Sequence, residues 1–460
     1  MWRSWRKRIP VAAVALVERT VLWTPVIIHG GKVVIFRLKR IKWAGRIISL
    51  LFKMRFNIMN GGKLIVLIIC VCSLFSCKKS LRINEKQIGK NEHVISVLPY
   101  MEDDWRGLNL SLYLDSVKYV KLELTDESII GEIGKVVIYD ERIYILDTQT
   151  SSLFVFDMEG HYLHKIARIG QGPGEYIALH FFDIDKENRH IVLTDLMTSW
   201  ILRYDFDGIF LSKQKIPVWC FGASVLPNKG IVLYADFRNN SDKLEQEYNL
   251  LYLDSAMSIK QGYFPYRSED FDQKIQPMAS FTGQFYTFKD NLYFTFPSGN
   301  TVYQITGDSL INKYQFDFGK DILQIENITN PDQFTERLKS GKYMGFLAPV
   351  METDQLLFFP MRKNAPVTYS IYYSKESGNI LSGFIFLFDD LSFASNFQTG
   401  YDSWIVSEMQ PSSLIDTKVS YMKNHKKTPI DKYAKELLAF AETLTEDDNP
   451  VLMFYRFKPF

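Results

Sequence analysis

Residues 143–147 (IYILD) and 153–160 (LFVFDMEG) form a segment that recurs, without a gap, 48 residues further along the chain. The second copy reads IVLTD over residues 191–195 and ILRYDFDG over residues 201–208. Identical residues occupy six pairs of positions: Asp147/Asp195, Ser151/Ser199, Asp157/Asp205, Gly160/Gly208, Leu163/Leu211 and Lys165/Lys213. Each copy is an apolar run, a polar turn, a second β-rich run and a D-x-x-G turn, which is typical of strands joined by hairpins. Such a unit, repeated about every 40–50 residues, predicts the blade of a β-propeller.

Weaker copies of this unit follow in the rest of the chain. Strand pairs are predicted at residues 231–234 with 248–252, 292–295 with 301–305, 356–359 with 367–373, and 404–406 with 451–457. At 48 residues per unit, the roughly 350 residues from 112 to 460 would hold seven units, but two helical insertions reduce the predicted number to six. We therefore predict an all-β, six-bladed β-propeller with short helical insertions.

The insertions and the closure of the propeller are also predicted from local patterns. One helix is predicted from Asn330-Pro331 to Gly341, and a longer one from Thr428-Pro429 to about residues 447–450. These helices either cover a blade face, which we favour, or form a lid over a channel mouth. An unclosed propeller would expose unpaired strand edges. We therefore expect residues 117–124, which alternate between apolar and polar side chains, to complete the last blade beside residues 451–457.

The composition, with 47% hydrophobic and 23% charged residues, is that of a globular protein and excludes collagen, low-complexity disorder and a disulfide scaffold. The net charge of +2 is unevenly distributed. Residues 1–58 carry 13 Lys or Arg and one acidic residue, Glu18, which leaves 41 basic and 51 acidic groups in the remainder, a net charge of −10. This mildly acidic part argues against a nucleic-acid partner.

The apolar run of residues 64–75 (LIVLIICVCSLF) has the length of a signal-peptide hydrophobic region and is too short to cross a membrane core of about 30 Å. The sequence LFSC that ends at Cys77 resembles the bacterial lipobox. The resemblance implies that Cys77 receives a diacylglyceryl group and that translation starts at Met59 or Met54. The alternative is that residues 1–76 form a basic, membrane-proximal arm.

The predicted organisation has four parts: an over-extended N-terminus or basic arm (1–58), a signal peptide (59–76), a lipid-anchored tether (77–111) and the propeller (112–460). Once Cys77 is lipidated and the signal removed, Cys220 is the remaining thiol, so no disulfide is expected. The polar composition of the tether up to about residue 91 predicts a linker that buries nothing.

The 48-residue unit, the loop of residues 170–176 (GQGPGEY) and the NPVL run of residues 449–452 together resemble the six-bladed propeller lipoproteins of gut Bacteroidetes, which are similar to NHL-repeat propellers. The resemblance covers residues 112–460 and implies a fold and a location in the bacterial cell envelope rather than an activity. The lack of acidic residues directly after Cys77 favours an outer-membrane lipoprotein that faces the periplasm.

Several motifs resemble functional sites, but the pattern of each favours a structural role. The glycine loop 170–176 lacks the following helix and Lys-Ser/Thr pair of a phosphate cradle, so it is interpreted as an inter-blade loop. Asp183, Asp185 and Glu187 alternate like calcium ligands, but the expected glycine and bidentate glutamate are missing, so a β-turn is favoured.

The histidines and tryptophans give no stronger signal. The seven histidines contain no zinc-binding spacing, and His161 and His164 have no histidine counterpart in the second copy. Trp200, Trp219 and Trp404 are candidates for a glycan or peptide platform, although packing between blades is the commoner role of aromatic residues. The repeated pair Asp147 and Asp195 predicts a structural hydrogen bond to a neighbouring turn. No catalytic residue, metal ligand or cofactor is predicted, and Cys77 is the one site residue.

Two functions remain open. The first is a membrane-anchored, non-enzymatic propeller that binds a small molecule, a glycan or a protein through the loops of one face. The alternative is a divalent-metal-dependent hydrolase or lyase, which requires three or more carboxylate or imidazole groups from different blades to converge on the propeller axis.

Overall fold

The computed structural model of the chain describes residues 26–29, 32–35, 84–85, 88–89, 94–100, 108–226, 230–271, 284–323, 325, 328, 330–347, 350–363, 368–383, 386–388, 391–393, 396–424 and 431–460. The chain divides into two compact units, Met1–Cys77 and Lys78–Phe460. In the first unit, Val26–His29 and Lys32–Ile35 pair as an antiparallel hairpin. Cys77 and the predicted signal peptide lie outside the described residues.

The second unit is a six-bladed β-propeller, as the repeat predicts. Blade 1 contains the strands Ile133–Tyr139, Arg142–Asp147, Ser152–Asp157 and Tyr162–Ile166. Blade 2 contains Phe181–Asp185, His190–Asp195, Trp200–Tyr204 and Phe210–Lys215. Blade 3 contains Gly222–Val225, Ile231–Tyr234, Glu247–Leu253 and Ile259–Tyr266.

Blade 4 contains Phe285–Phe288, Asn291–Thr295, Thr301–Thr306 and Ser309–Asp317. In blade 5, an interrupted first strand (Met344–Phe346 and Met351–Glu352) is followed by Leu356–Lys363, Thr368–Ser374 and Ile380–Gly383. Blade 6 contains Asn396–Tyr401, Trp404–Met409, Val451–Phe457 and Leu114–Lys121. Around the axis, contacts join the first strands of blades 1 and 2, of blades 2 and 3, of blades 5 and 6, and of blades 6 and 1.

The two ends of the propeller close the last blade, as predicted. Leu114–Lys121 pairs antiparallel with Val451–Phe457, and Val120 lies opposite Leu452. Val120 and Leu452 are both buried. Leu114–Lys121, from the start of the domain, therefore supplies hydrogen-bond partners for the backbone of Val451–Phe457, from its end. This edge of the last strand is not left unpaired.

The segment before the first blade is bound to the outside of the propeller. Asn84–Glu85 adds a parallel strand to the outer edge of blade 3, and Val94–Ser96 does the same on blade 4. Ile88 packs against the apolar core, and the Gly89 amide donates to the Leu310 carbonyl (2.9 Å). The prediction that the run up to about residue 91 buries nothing is therefore wrong for this outer strap (the described residues between Asn84 and Ser96). In the second strand of the strap, Ile95 is buried, at 4% exposure. The backbone of even a polar segment finds hydrogen-bond partners on an open blade edge.

A smaller sheet and three α-helices complete the described part of the second unit. Leu108–Asn109 pairs with Phe386–Phe388, which pairs with Leu391–Phe393. Short 3₁₀ turns cover Leu98–Tyr100, Leu110–Leu112, Ser268–Asp270 and Gly319–Asp321. The helices are α1 (Pro331–Ser340), α2 (Pro411–Asn424) and α3 (Lys432–Ala441). None of the helices in this described part has the length and apolar character needed to span a membrane.

The prediction of α1 is confirmed to within a residue, whereas α2 was not predicted. The second predicted helix begins at Lys432 rather than at Thr428, because Asp431 caps it by accepting a hydrogen bond from the Ala434 amide (2.9 Å). Helix α3 covers the face of blade 6. Its Phe440 ring stacks on Tyr119 at 4.8 Å, and its Tyr433 hydroxyl donates to the Leu114 carbonyl.

The core lies between the blades and is rich in aromatic rings. At the contact of blades 3 and 4, the rings of Tyr234, Phe264, Phe294 and Phe296 lie within 6.4 Å of one another in successive pairs. Packing between blades therefore accounts for much of the aromatic content, as expected.

Candidate ligand-binding channel

A polar channel runs along the axis of the propeller. It encloses about 110 Å³, and residues from the first strands of all six blades line it. Each first strand contributes a polar side chain to the channel wall: Lys135, Asp183, Ser224, Tyr286, Glu352 and Gln398. Because side chains alternate along a strand, one residue can face the channel while its neighbours pack between blades.

The side of the channel formed by blades 1 to 3 contains two charges without a salt-bridge partner. The Lys135 ammonium donates to the Phe182 carbonyl (2.9 Å). The Asp183 carboxylate accepts short hydrogen bonds from the Ser224 hydroxyl and from the Val225 amide (3.1 Å). Within the residues that the structure describes, neither Lys135 nor Asp183 forms an ion pair.

The opposite side of the channel contains a carboxylate that is fully neutralised. Glu352 is buried and pairs with the Lys375 ammonium at 2.7 Å. It also accepts hydrogen bonds from the Tyr286 and Tyr314 hydroxyls, each at 3.3 Å. Burial, assisted by this carboxylate, raises the pKa of Tyr286 and of Tyr314 above the ordinary range, so both hydroxyls stay protonated and act as donors.

The channel adjoins a larger cavity at one face of the propeller. This mouth cavity encloses about 540 Å³ and lies beside the turns that join the first and second strands of blades 1 to 4. Its wall contains Tyr139, Ile184, Asp185, Lys186, Glu187, Val225, Leu226, Thr287, Asp290 and Leu292. Ile184, Lys186 and Thr287 line both the mouth cavity and the channel. Lys186 of blade 2 pairs with Asp290 of blade 4 at 2.9 Å, so its charge is already neutralised.

The predicted β-turn at Asp183, Asp185 and Glu187 is confirmed for Asp185, whose carboxylate accepts hydrogen bonds from the Asn188 amide and side chain (3.0 and 2.7 Å). Asp183 instead faces the channel, and Glu187 lines the mouth cavity. The described ranges of the chain contain no group of three or more His, Cys, Asp or Glu arranged to hold a metal ion.

The glycine loop is a structural connection between blades 1 and 2, as predicted. The Glu175 carboxylate accepts a hydrogen bond from the Gly172 amide (2.7 Å), which folds the loop back on itself. The Tyr176 hydroxyl donates to the Ser151 and Ile166 carbonyls of blade 1. Gly174 has a φ of +72° and lies against the Phe210 ring, so a side chain at this position would clash.

The other candidate residues remain apart from the channel. His161 pairs with Asp157 in an exposed turn, and this pairing raises the pKa of His161. The pKa of His164 is lowered by burial. Trp200, Trp219 and Trp404 lie on blades 2, 3 and 6, where each contacts a Lys or Arg side chain. None of the three tryptophans lines the channel or the mouth cavity within the described structure.

Sequence reasoning identified Asp183 but missed the other five polar residues of the channel. A sequence signal is present for Lys135 and Ser224, as it is for Asp183. In the first strands of blades 1, 2 and 3, which read IGKVV, FFDID and GASV, each of these polar residues interrupts an apolar run. Because these strands are buried on both faces, such a residue can only be accommodated at the axis or in a satisfied pair.

Comparison with known proteins places the chain in a family. A family model with the description "Domain of unknown function (DUF4934)" matches residues 93–456. The chain belongs to this family. Because the match begins at residue 93, the second strand of the outer strap, Val94–Ser96, belongs to the DUF4934 region.

The DUF4934 propeller is similar to solved structures from Bacteroides. One is a protein of Bacteroides fragilis NCTC 9343 described as a "Putative exported protein", with a TM-score of 0.64 and 21% identity over 80% of this chain and 100% of that chain. This similarity shows the propeller fold. Another is a member of the duf4221 family from Bacteroides vulgatus ATCC 8482, with a TM-score of 0.42 and 12% identity over 75% of this chain and 97% of that chain. No curated protein matches the sequence.

Proposed function

We propose that this DUF4934 protein is a membrane-anchored, extracytoplasmic propeller that binds a ligand in its axial channel without transforming it. One observation carries the proposal: six different side chains, one from each blade, line a polar channel that shares its wall with a mouth cavity of about 540 Å³. In small-molecule sites a few polar groups orient the ligand and apolar surface buries the rest of it. Here the channel supplies the polar groups, and part of the mouth-cavity wall is apolar.

The proposed location follows from the N-terminal sequence. The apolar run of residues 64–75 and the LFSC motif support lipidation of Cys77 in the outer membrane, facing the periplasm. The similarity to a Bacteroides protein described as exported agrees with this location. We also propose that this propeller is related to the NHL-repeat propellers.

The alternative function, a metal-dependent hydrolase or lyase, has no observation in its favour. The channel contains two carboxylates on opposite sides, Asp183 and Glu352, and the second is already paired with Lys375. The described residues supply no third ligand at this position. We therefore propose ligand binding rather than metal-dependent catalysis.

Lipidation is tested by metabolic labelling of the full-length protein in a Bacteroides host with a clickable fatty acid. We expect the wild-type protein to be labelled and the Cys77→Ala variant to lose the label, while the matched Cys220→Ala variant keeps it. A labelled Cys77→Ala variant, or an unlabelled wild type, would contradict the proposed anchor.

Ligand binding is tested by thermal shift of the detergent-solubilised full chain against a library of amino acids, sugars, nucleosides and short peptides. Thr287 is exposed and lines both the channel and the mouth cavity, so Thr287→Trp should block the site without disturbing the core. The equally exposed Thr306 of blade 4 provides the control Thr306→Trp. We expect stabilisation by a ligand that Thr287→Trp abolishes and Thr306→Trp retains. If no compound stabilises the protein in a Thr287-dependent manner, the binding function is wrong.

A further inference from the structure

Two opposite charges in the channel lack a salt-bridge partner, and they lie on neighbouring blades. Lys135 belongs to the first strand of blade 1, and Asp183 belongs to the first strand of blade 2. The Lys135 ammonium is fixed by its hydrogen bond to the Phe182 carbonyl, one residue before Asp183 in the chain. Both side chains line the channel, and in the described part of the chain they form no ion pair with each other.

Among the described residues, the Lys135 ammonium has one hydrogen-bond acceptor, the Phe182 carbonyl, and it also lies 5.4 Å from the centre of the Phe182 ring. An ammonium group has three donors. Since the acceptor is a neutral carbonyl, the positive charge is left to be neutralised by an anion in the channel.

The Asp183 carboxylate is oriented but not neutralised. One oxygen accepts the hydrogen bonds from Ser224 and Val225, and the other accepts one from the Ile184 amide at 2.9 Å. All three donors are neutral. Among the described residues no cation is paired with this carboxylate, whose remaining lone pairs can accept hydrogen bonds from a cationic group in the channel.

The other charged side chains of the channel wall have ion-pair partners. Glu352 is paired with Lys375, and Lys186 is paired with Asp290. Asp185 and Glu187 lie in the wall of the mouth cavity and not in that of the channel. A ligand that complements the channel must therefore supply one carboxylate for Lys135 and one ammonium for Asp183, a short distance apart. This is the arrangement of charges in the head group of a free α-amino acid.

The dimensions agree with a ligand of this size. The channel space of about 110 Å³ has room for the five heavy atoms of an amino-acid head group, and the mouth cavity has room for a side chain. Ile184, Val225, Leu226 and Leu292 make part of the wall of that cavity apolar. An apolar side chain of the ligand would be buried against this part of the wall.

We infer that the channel binds a free α-amino acid with an apolar side chain, whose carboxylate contacts Lys135 and whose ammonium contacts Asp183. This inference rests on the proposed binding function and adds the class of ligand. A bound zwitterion would neutralise both charges at once, which neither a neutral sugar nor a simple anion can do.

The test compares leucine with two analogues that each lack one charge, by isothermal titration calorimetry on the detergent-solubilised full chain. 4-Methylpentanoate lacks the ammonium, and 3-methylbutylamine lacks the carboxylate. The twenty protein amino acids are screened in parallel by thermal shift. We expect leucine or another apolar amino acid to bind at least tenfold more tightly than either of its one-charge analogues.

Two variants assign the charges. Lys135→Met should lower the affinity for leucine at least tenfold and leave the affinity for 3-methylbutylamine unchanged. Asp183→Asn keeps an acceptor for Ser224 and Val225 and should lower the affinity for leucine similarly, while 4-methylpentanoate binds as before. Lys118→Met, which alters an exposed lysine on blade 6, is the control and should bind leucine normally. Unchanged melting temperatures of the unliganded variants confirm that they fold.

Three results would overturn the inference: no amino acid binds, leucine binds no better than its analogues, or the Lys135→Met and Asp183→Asn variants bind leucine like the wild type. If compounds of another class still bind in a manner that Thr287→Trp abolishes, the ligand class is wrong and the binding function stands. If nothing binds, both are wrong.

Discussion

Asp147 is buried at the end of the second strand of blade 1 and organises the turns around it. Its carboxylate accepts hydrogen bonds from the backbone amides of Gly131, Glu132, Gln149 and Thr150 and from the Thr150 hydroxyl. Its counterpart Asp195 accepts three, from the Ile177 and Thr198 amides and the Thr198 hydroxyl. The prediction of a structural hydrogen bond is thus confirmed in both copies. The aspartate recurs because one carboxylate can satisfy several amides that have no strand partner.

We expect Asp147→Ala to lower the free energy of unfolding by about 3 kcal/mol, because it leaves several amides without an acceptor at a buried site. Asp207, with a side chain 80% exposed, provides the control Asp207→Ala, which should change the stability by less than about 0.5 kcal/mol. The measurement is the urea midpoint of each variant. Equal midpoints for the two variants would show that the Asp147 hydrogen bonds contribute no stability.

Asp236 makes the stability of the protein depend on pH. Burial raises its pKa to about 6, although the Tyr234 hydroxyl and Arg238 oppose the shift. Because the folded state holds this proton more tightly than the unfolded state, the free energy of unfolding should fall as the pH rises from about 4 to about 6 and stay low above that. Asp236→Asn should therefore stabilise the protein by about 1–3 kcal/mol at pH 7.5 and have little effect at pH 4.

The measurement is the melting temperature of wild type and Asp236→Asn between pH 4 and pH 8. The control is Asp207→Asn, which should follow the wild-type curve at every pH. Parallel curves for wild type and Asp236→Asn would mean that Asp236 does not bind a proton in this range.

At the scale of the element, the outer strap is the largest departure from the sequence prediction. Val94 and Ile95 are adjacent in its second strand, and their exposures are 56% and 4%. If the strap is part of the fold, Ile95→Ala should cost about 2–3 kcal/mol and Val94→Ala less than about 0.5 kcal/mol. Urea unfolding measures both. A silent Ile95→Ala variant would restore the interpretation of this segment as a free linker.

The helices show which elements can be predicted from local signals. Helix α1 follows an Asn-Pro start signal, and the Asn330 side chain accepts a hydrogen bond from the Gln333 amide, so the prediction succeeds. Helix α2 follows directly on the strand Trp404–Met409, and its exposed surface includes Val419 and Met422, which weakens the amphipathic pattern. Its position is set by packing on helix α3 and on the strand Leu391–Phe393 rather than by its own sequence pattern.

At the scale of the whole molecule, Asn449 joins the last blade to the first. Its side-chain amide donates to the Glu123 and Ser128 carbonyls (2.9 and 2.7 Å), and its oxygen accepts from the Ile130 amide (2.9 Å). Nearby, Lys121 forms a partly exposed ion pair with Asp448 at 2.8 Å.

We expect Asn449→Ala to lower the free energy of unfolding by about 2–4 kcal/mol, because it breaks three buried hydrogen bonds at the junction. Lys121→Met removes the surface pair beside it and should cost less than about 1 kcal/mol. Hydrogen exchange should show that Asn449→Ala loosens Leu114–Lys121 and Val451–Phe457 together. Loss of protection in only one of the two strands would contradict a shared closure.

The six blades were predictable because the turn residues of blades 1 and 2 repeat, whereas the channel was not. Lys135 and Asp183 stand 48 residues apart, yet they lie opposite Leu146 and Val192 in their blades, a difference of two residues in register. The turn between the first two strands causes this difference, because it has two residues in blade 1 (140–141) and four in blade 2 (186–189). The remaining channel residues do not keep the offset of 48: Ser224 follows Asp183 by 41 residues, and Tyr286 follows Ser224 by 62. The repeat therefore predicts the blades but does not locate the side chains of the channel in blades 3 to 6.

The pairing of Leu114–Lys121 with Val451–Phe457 also sets the order of events during biosynthesis. About 330 residues separate the two strands, and at about 5–20 residues per second the ribosome needs on the order of 20 to 70 s to supply the second one. The early strand spends this interval with open edges, and its lysines, Lys118 and Lys121, discourage association with other chains. The last blade can form only after residues 451–457 have been synthesised.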